Sequence, residues 1–127
     1  TKNRPNNTDL NDIKKGINTL VKLNAHNHVQ GLIVRKNIII AKETALGTKK
    51  MLLSVKKIKR YKGILIKFPK KKQDLRADLP TIGLDTLKDC LKAGVKGIVL
   101  KSKKNIFLDK KKSIAFANKN KIFITVK

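Results

Sequence analysis

Apolar residues at helical spacing open the chain, and two β-rich runs follow them. Between residues 9 and 23 the apolar side chains recur every three or four positions, which predicts an amphipathic helix; they are Leu10, Ile13, Ile17, Leu20 and Val21. The runs at 28–34 and 38–41 are rich in β-branched and aliphatic residues. The short polar joint Arg35-Lys36-Asn37 between them predicts a β-hairpin.

The same order of elements occurs again further along the chain. Gly47-Thr48 is typical of a helix start, and the apolar face of that helix is Met51, Leu52, Val55 and Ile58. A strand is predicted at 63–68, and a highly charged run, 67–81, follows it. The elements predicted after this run are a helix at 84–92 that Gly94 ends, strands at 97–100 and 105–108 around the lysine-rich segment 101–104, a helix from an N-cap at Asp109 to Ala117, and a strand at 122–126.

This pattern predicts an α+β domain made of two helix–hairpin–helix–strand repeats, residues 9–68 and 84–127. The repeats also resemble each other in sequence, as Gly31-Leu32-Ile33-Val34 and Gly97-Ile98-Val99-Leu100 show. We expect their strands to form one mixed sheet covered by helices. Residues 1–8 are polar, contain Pro5 and are interpreted as a linker. Residues 69–83 connect the repeats, and a connector in that position is well placed to line a cleft.

The net charge indicates which kinds of partner the protein can be expected to bind. With 32 Lys and Arg residues against eight Asp and Glu, the formal charge is +24, which favours anionic partners. However, 28 of these cations are lysines spread along the whole chain. Direct base readout favours Arg, Asn and Gln, and single-strand binding needs exposed aromatic residues. We therefore expect no specific nucleic-acid binding. Nonspecific polyanion binding stays open, as does attraction to anionic lipid at about 1 kcal/mol per nearby lysine.

Several other classes have no support in the sequence. The single cysteine, Cys90, excludes an internal disulfide and falls in a predicted helix, so we interpret it as a packing residue. No uninterrupted apolar run approaches the roughly 20 residues of a membrane span. A nucleophile elbow, a P-loop, a cysteine cluster and a dinucleotide-binding glycine pattern are all missing from the sequence.

The charged run 67–81 carries the strongest candidate chemistry. Two of the eight acidic residues, Asp74 and Asp78, lie in it among several cations. Pro69 and Pro80 each push the preceding residue out of the helical region, so the ends of the run should be extended or loop-like. If the segment between them is extended too, Asp74, Arg76 and Asp78 lie on one side of it, because side chains alternate along an extended backbone.

That arrangement has a functional and a structural interpretation. In the functional one, Asp74 and Asp78 hold Mg²⁺, which prefers one or two carboxylates together with water and phosphate oxygens. Arg76 then binds phosphate through its planar fork, and Lys67 and Lys70 add point charges. In the structural one, the run is a solvent-exposed ladder of alternating charge. Spacing alone does not separate the two.

Three other positions also have two interpretations each. Gly47-Thr48 at a helix start either binds an anion through free backbone N–H groups or provides Thr48 as a simple N-cap. Glu43, the only glutamate, comes just before that turn and would join a metal site, act as a base, or pair with a nearby lysine. His26 and His28 alternate like a metal-binding pair, but no third ligand is near in sequence, so we interpret them as solvated.

Three motifs carry a resemblance to a known family. The central one begins at Gln73 and reads Gln-Asp-x-Arg-x-Asp-Leu-Pro-Thr-Ile-Gly-x-Asp-Thr. The other two are Gly47-Thr48-x-x-Met51-Leu52 and Gly63-x-Leu65-x-Lys67-x-Pro69-Lys70, and the tail from residue 93 to residue 122 follows the same family's pattern. Together they resemble the LpxI-type UDP-2,3-diacylglucosamine pyrophosphatases, a family once grouped as DUF1009, over nearly all of residues 9–127.

The resemblance implies the C-terminal domain of a bacterial lipid A pathway hydrolase, with the family's N-terminal domain missing from this sequence. The family uses Mg²⁺ to hydrolyse the diphosphate of UDP-2,3-diacylglucosamine to UMP and lipid X, and water attacks the phosphorus on the sugar side. Substrate binds between the two domains. The implied partners are the lipid-linked nucleotide sugar, the anionic cytoplasmic surface of the inner membrane and the N-terminal domain, while a homodimer stays open.

Carried onto this sequence, the resemblance implies three groups of site residues. The catalytic residues are Asp74 and Asp78. The metal ligands are Asp74, Asp78 and Glu43. The residues that bind substrate and phosphate are Lys67, Lys70, Gln73, Arg76, Thr81, Gly47 and Thr48.

The chain departs from the family pattern at three acidic positions. Leu46 and Lys49 stand where the family has the acids of a Glu-Gly-Thr-Asp motif, and Asn27 replaces an Asp before the first hairpin, although Gln30 matches. Lys49 places a cation where the family has an anion, which should repel Mg²⁺. One alternative is therefore an impaired or noncatalytic relative that binds acylated sugar phosphate or a partner. A second is a basic polyanion- or nucleic-acid-binding module.

Overall fold

The computed structural model describes residues 1–27, 30–44, 46–56, 62–69, 81–103 and 105–127, with the backbone alone at 24–27. In these ranges the helices are α1 (Asn7–Asn27), α2 (Thr48–Ser54), α3 (Leu84–Ala93) and α4 (Lys110–Lys119). The strands are β1 (Gly31–Arg35), β2 (Ile38–Lys42), β3 (Gly63–Lys67), β4 (Thr81–Ile82), β5 (Val95–Leu100), β6 (Ile106–Phe107) and β7 (Phe123–Val126).

Five of these strands form one mixed sheet in the order β2-β1-β3-β5-β7. β1 lies antiparallel to both β2 and β3, whereas β5 is parallel to β3 and to β7. Parallel neighbours need a crossover connection, and α3 and α4 lie on the two crossovers. β4 and β6 form a separate parallel pair in which Thr81 lies opposite Ile106.

Helices cover both faces of the sheet, because successive side chains of each strand point to opposite sides. On one face α1 packs through Ile13 and Leu20, against strand residues Leu32, Val34, Ile64, Ile66 and Val99. On the other face α2, α3 and α4 pack against strand residues Ile33, Leu65, Ile98 and Leu100. The central strands are therefore buried on both sides, which explains their nearly continuous apolar sequence.

α1 approaches the sheet closely at Gly16. A Cβ atom at this position would lie 2.1 Å from Ile66 Cδ1 and 2.7 Å from Val34 Cγ2. These distances are far shorter than a van der Waals contact. The missing side chain of Gly16 thus sets the spacing between α1 and the sheet.

Two buried carboxylates also hold α1 in place. Asp9 Oδ1 forms an ion pair with Lys96 Nζ of β5 at 2.5 Å, and its Oδ2 accepts a hydrogen bond from Asn6 N at 3.0 Å. Asp12 Oδ1 accepts a hydrogen bond from Asn37 N in the β1–β2 turn at 2.7 Å. Both side chains are buried, so these partners replace lost water. Two of the eight acidic residues therefore stabilise the fold.

The predicted fold class is confirmed, since the protein is α+β with a mixed sheet covered by helices. The first hairpin forms as predicted, and both turn residues, Lys36 and Asn37, have positive φ angles of 52° and 59°. That conformation is typical of a two-residue turn between twisted antiparallel strands. α3 ends as predicted at Gly94, whose φ of 75° is left-handed.

The second predicted hairpin does not form, and the repeat is not confirmed in that detail. β5 lies between β3 and β7 in the main sheet, while β6 pairs with β4 instead of β5. The reason is burial: β5 is apolar on both faces and fits a central parallel position, whereas β6 has only two residues and the half-exposed Ile106.

The ends of the elements differ from prediction by a few residues. α1 begins at Asn7, inside the segment predicted as a linker. The start of this segment also contacts the domain: Ile124 N donates a hydrogen bond to Thr1 Oγ1, and Lys2 N donates one to Asn118 Oδ1. Asp109 is the N-cap residue of α4, but its side chain makes no capping hydrogen bond. Instead its backbone oxygen accepts from Ser113 N at 2.9 Å.

Candidate active site

Four strands of the main sheet end at one edge. β2 and β3 are both antiparallel to β1, and β5 and β7 are parallel to β3, so all four run in the same direction. We call the side where they end the carboxyl edge. In open α/β sheets, ligands bind outside the carboxyl ends of the strands. Side chains at or just after these strand ends are therefore the candidates for chemistry.

Three polar side chains meet at the carboxyl edge and form what we call the edge cluster: Glu43, Thr48 and Lys67. Lys67 Nζ donates to Thr48 Oγ1 at 2.5 Å and lies 3.7 Å from Glu43 Oε1. Thr48 Oγ1 in turn donates to Glu43 Oε1. The side chains of Lys67 and Glu43 are only 10% and 7% exposed. The cluster is thus a nearly buried, charge-assisted network in which Lys67 has a fixed position.

The backbone of β1 brings this cluster together. Gly31 lies opposite Lys67 in the antiparallel ladder, and Gly31 O accepts a hydrogen bond from Glu43 N at 2.8 Å. A Cβ atom on Gly31 would lie 3.3 Å from Glu43 Oε2, tighter than an ordinary contact. Glycine at the start of β1 therefore leaves the space that the Glu43 carboxylate occupies.

One carboxylate oxygen of the edge cluster has no partner in the described part of the chain. Glu43 Oε2 is buried and makes no hydrogen bond there. The other oxygen, Oε1, accepts a hydrogen bond from Thr48 and forms the ion pair with Lys67. Buried polar atoms are hydrogen-bonded in the great majority of cases, and an unsatisfied one calls for a functional explanation or a missing ligand. Glu43 Oε2 has the chemistry to receive a proton donor or a hard cation.

Gly47 places Thr48 in the cluster. Its φ of 93° and ψ of 177° occur at little cost only in glycine, and Gly47, rather than Thr48, is the N-cap residue of α2. No side chain caps this helix start. Thr48 consequently uses its hydroxyl to bridge Lys67 and Glu43, which corrects the simple N-cap interpretation of that residue.

A second cation adjoins the cluster through an aromatic ring. Phe68 follows Lys67 directly, is buried, and has Lys101 Nζ 5.5 Å from its ring centroid. This distance is within the range of a cation–π contact. Because Lys101 is the first residue after β5, the positive charge of the carboxyl edge continues from β3 to β5.

The buried thiol of Cys90 takes no part in the site chemistry. Burial raises its pKa far above the ordinary thiol value; Asp89 raises it further and Lys67 opposes the shift. A thiol in this state stays protonated and is a poor nucleophile. Cys90 is the packing residue that its place in a helix predicted.

Membership of a family follows from comparison with known proteins. A family model, the LpxI C-terminal domain, matches residues 1–125 of the 127. The chain belongs to the LpxI C-terminal domain family. The LpxI-type resemblance of the sequence motifs is thereby confirmed.

A curated relative agrees with this assignment. The UDP-2,3-diacylglucosamine pyrophosphatase LpxI of Caulobacter vibrioides is 31% identical over 121 residues, covering 89% of this chain and 43% of the relative. The chain therefore spans less than half the length of that relative. The relative's name describes a pyrophosphatase that acts on UDP-2,3-diacylglucosamine.

The structure brings some of the predicted LpxI-type site residues together and leaves others apart. Glu43, Gly47, Thr48 and Lys67 share the edge cluster, whereas Thr81 begins β4 and is exposed. Several other predictions concern residues outside the described part of the chain: Lys70, Gln73, Asp74, Arg76, Asp78, His28 and the side chains of His26 and Asn27. Two of the three replacement residues at acidic positions, Leu46 and Lys49, are exposed.

Only part of the predicted metal site lies among the described residues. In the ranges that the structure describes, no three His, Cys, Asp or Glu side chains cluster as a metal site would require. Glu43 is the one predicted metal ligand among them, and Lys67 already lies beside one of its oxygens. Its other oxygen, Oε2, is of the hard type that Mg²⁺ prefers.

The sequence interpretation missed two features of the site. It gave a pair with a nearby lysine as one role of Glu43 but did not identify that lysine as Lys67 or place Thr48 beside it. It also did not single out Lys101 or its contact with Phe68. The available signal was positional, because Glu43 and Lys101 each directly follow a strand and Lys67 ends one. Strand direction, which the sequence did not reveal, is what places them at one edge.

No helix in the described part of the chain is both long enough and apolar enough to cross a membrane.

Proposed function

We propose that this domain belongs to an enzyme that hydrolyses the diphosphate of UDP-2,3-diacylglucosamine to UMP and lipid X with Mg²⁺. Family membership supports the substrate class. The single observation that carries the proposal is the edge cluster, a buried lysine held by Thr48 and Glu43 at the point where residues 70–80 begin. In this proposal a second domain completes the site, and the greater length of the relative supports this.

Lys67 has the clearest role among the described residues. A diphosphate gains negative charge on its oxygens as water attacks, and fixed cations stabilise that charge without reorganising. Thr48 and Glu43 hold the Lys67 ammonium at the edge of the sheet, so its position is set before substrate arrives. Lys67 therefore serves as a preorganised point charge on the diphosphate.

The other predicted site residues have proposed roles as well, and most of them lie after β3 in the chain. Asp74 and Asp78 are proposed to activate water or hold the metal. The residues proposed to bind phosphate or substrate are Lys70, Gln73, Arg76 and Thr81. Gly47 contributes by placing Thr48.

Mg²⁺ would supply a hard Lewis acid for the phosphate oxygens. Glu43 fits this group through its unpartnered Oε2, and Asp74 and Asp78 provide the other carboxylates of the proposed ligand set. Lys67 lies beside the other oxygen, Oε1, and helps to hold the Glu43 carboxylate in an orientation that leaves Oε2 for a ligand.

The decisive experiment measures UMP release by the natural full-length protein carrying Asp74→Ala. We expect turnover to be abolished, whereas the matched change Asp89→Ala, at an acid of α3 outside the quoted motifs, should leave it intact. Unchanged turnover in Asp74→Ala would remove this residue from the mechanism. In ¹⁸O-labelled water, attack on the sugar-side phosphorus places the label in lipid X and none in UMP.

A noncatalytic binding protein is the second candidate, and a specific observation favours it. Lys49 stands where the family has an acid and lies in the first turn of α2, next to Thr48 of the edge cluster. Calorimetric titration with UDP-2,3-diacylglucosamine, run beside the turnover assay, separates the candidates: binding without UMP release supports this one. Release that rises in Lys49→Asp would show an enzyme impaired at that position.

A further inference from the structure

We propose that residues 101–103 and 105–112 form a membrane-docking patch through which the carboxyl edge contacts an anionic lipid bilayer. The inference deepens the proposed function, because it names the surface where a lipid-borne substrate would reach the edge cluster. Its physical basis is separate from catalysis. It rests on exposed apolar side chains, the lysines around them, and their position beside the cluster.

The centre of the patch is apolar. Ile106 and Leu108 are 41% and 52% exposed, whereas Phe107 between them packs against the core. Ile106 lies in β6 and Leu108 lies in the turn directly after it, and both side chains are exposed. Single exposed apolar residues are ordinary, but two that lie two positions apart form a small apolar point that can enter a bilayer.

The rim of the patch is cationic. Lys101 and Lys103 precede the apolar pair, lysines 110–112 follow it, and all five are exposed. Asp109 is the one acid in the segment 101–112. Apolar side chains surrounded by lysines fit a bilayer with anionic headgroups, since the former enter the headgroup boundary while the latter remain at the charged surface. A free polyanion would use the lysines and have no need of Ile106 or Leu108.

The backbone holds this surface in a fixed shape. Leu108 N donates to Ile82 O of β4 at 2.8 Å, and Ser113 Oγ donates to Leu108 O at 3.0 Å. The Asn105 side chain donates to Lys101 O at 2.8 Å and closes the preceding turn. Docking therefore needs little ordering of the chain, which lowers its entropic cost.

The patch adjoins the edge cluster. Lys101 Nζ lies 5.5 Å from the centroid of the Phe68 ring, and Phe68 follows Lys67 in the chain. β4, which pairs with β6, comes directly after the segment proposed to carry Asp74 and Asp78. A bilayer on the patch would thus face the same edge where the diphosphate is proposed to bind.

Vesicle co-sedimentation at about 0.15 M salt tests the proposal, where screening limits diffuse attraction to within about 8 Å. The chain should bind phosphatidylcholine vesicles that contain phosphatidylglycerol and not those of phosphatidylcholine alone. Replacing lysines 110–112 by Gln should weaken partitioning about a hundredfold. Replacing Ile106 and Leu108 by Gln should weaken it roughly thirtyfold.

Matched controls separate a local patch from total charge. The triple change of Lys14, Lys15 and Lys22 to Gln removes the same charge from exposed positions of α1. The double change Val21→Gln with Leu53→Gln removes two apolar side chains that are 58% and 61% exposed. Circular dichroism verifies folding of every variant. Both controls should retain wild-type partitioning.

Three results would overturn the proposal: equal losses in patch and control variants, no effect of the apolar pair, or displacement from vesicles by duplex DNA at equal phosphate concentration. The last two would indicate a polyanion site. UMP release by the natural full-length protein from a short-acyl, water-soluble substrate keeps the outcomes distinct, because patch variants should hydrolyse that substrate normally. If the protein binds vesicles but shows no such turnover, the proposed function is refuted and the proposal of a membrane-docking patch is supported.

Discussion

The buried ion pair of the edge cluster makes a quantitative prediction for Lys67→Met. The change keeps an unbranched side chain as far as the ε position and removes the charged Nζ. The Glu43 carboxylate, 7% exposed, then loses its only cation in the described part of the chain. Thr48 would remain as its one hydrogen-bond donor there. Removing one partner of a buried ion pair costs about 3–5 kcal/mol, because an uncompensated charge remains inside the protein.

Urea unfolding followed by circular dichroism measures this cost. With an unfolding slope of about 2 kcal/mol per molar urea, the midpoint should fall by roughly 2 M. Lys92→Met, at an exposed lysine in the last turn of α3, is the matched control and should change stability by less than about 0.5 kcal/mol.

A double-mutant cycle with Glu43→Gln tests the reasoning itself. Glutamine keeps an oxygen acceptor for Thr48 but carries no charge, so the double variant no longer has a buried unpaired ion. We expect it to be more stable than Lys67→Met alone, with a coupling energy of about 2 kcal/mol. A coupling below about 0.5 kcal/mol would refute the claim that Lys67 and Glu43 stabilise each other inside the edge cluster.

Two further predictions concern the core. Gly97→Ala should destabilise the fold by about 1–3 kcal/mol, because the added Cβ would lie 2.0 Å from Cζ of the Phe123 ring; an unchanged urea midpoint would show that the ring moves freely. The Cys90 thiol should not react with a thiol reagent in the folded protein and should react fully in urea. Since burial raises its folded pKa, its contribution is fully present below the ordinary thiol pKa of about 8.5 and is lost above it at about 1.4 kcal/mol per pH unit. Cys90→Ala should lack that part of the slope, and identical pH profiles would contradict the prediction.

Elements defined by local chemistry were predictable from sequence. The first hairpin follows from two β-rich runs around a polar joint, and Asn37 is a residue type that tolerates its left-handed turn conformation. α3 follows from an apolar face that Gly94 ends. In these cases the residues that decide the structure are neighbours in the chain.

Strand pairing was not predictable to the same degree. The likeness between residues 31–34 and 97–100 suggested a second hairpin, yet β5 pairs with β3 and β7. A continuous apolar run predicts that a strand is buried on both faces, but it does not predict which strands pair with it. The edge cluster depends on such pairing, because Thr48 and Lys67 are 19 positions apart and meet only when β2, β1 and β3 are in register.

The most direct test of the central claim is the effect of Lys67→Met on UMP release by the natural full-length protein. The rate should be measured at a temperature where circular dichroism shows the variant folded, beside Lys92→Met as control. If Lys67 stabilises charge on the diphosphate, kcat/KM should fall about a hundredfold or more, as when one fixed charge-stabilising group is removed from an active site. A kcat/KM within twofold of the wild-type value would contradict the assignment of the edge cluster to the active site.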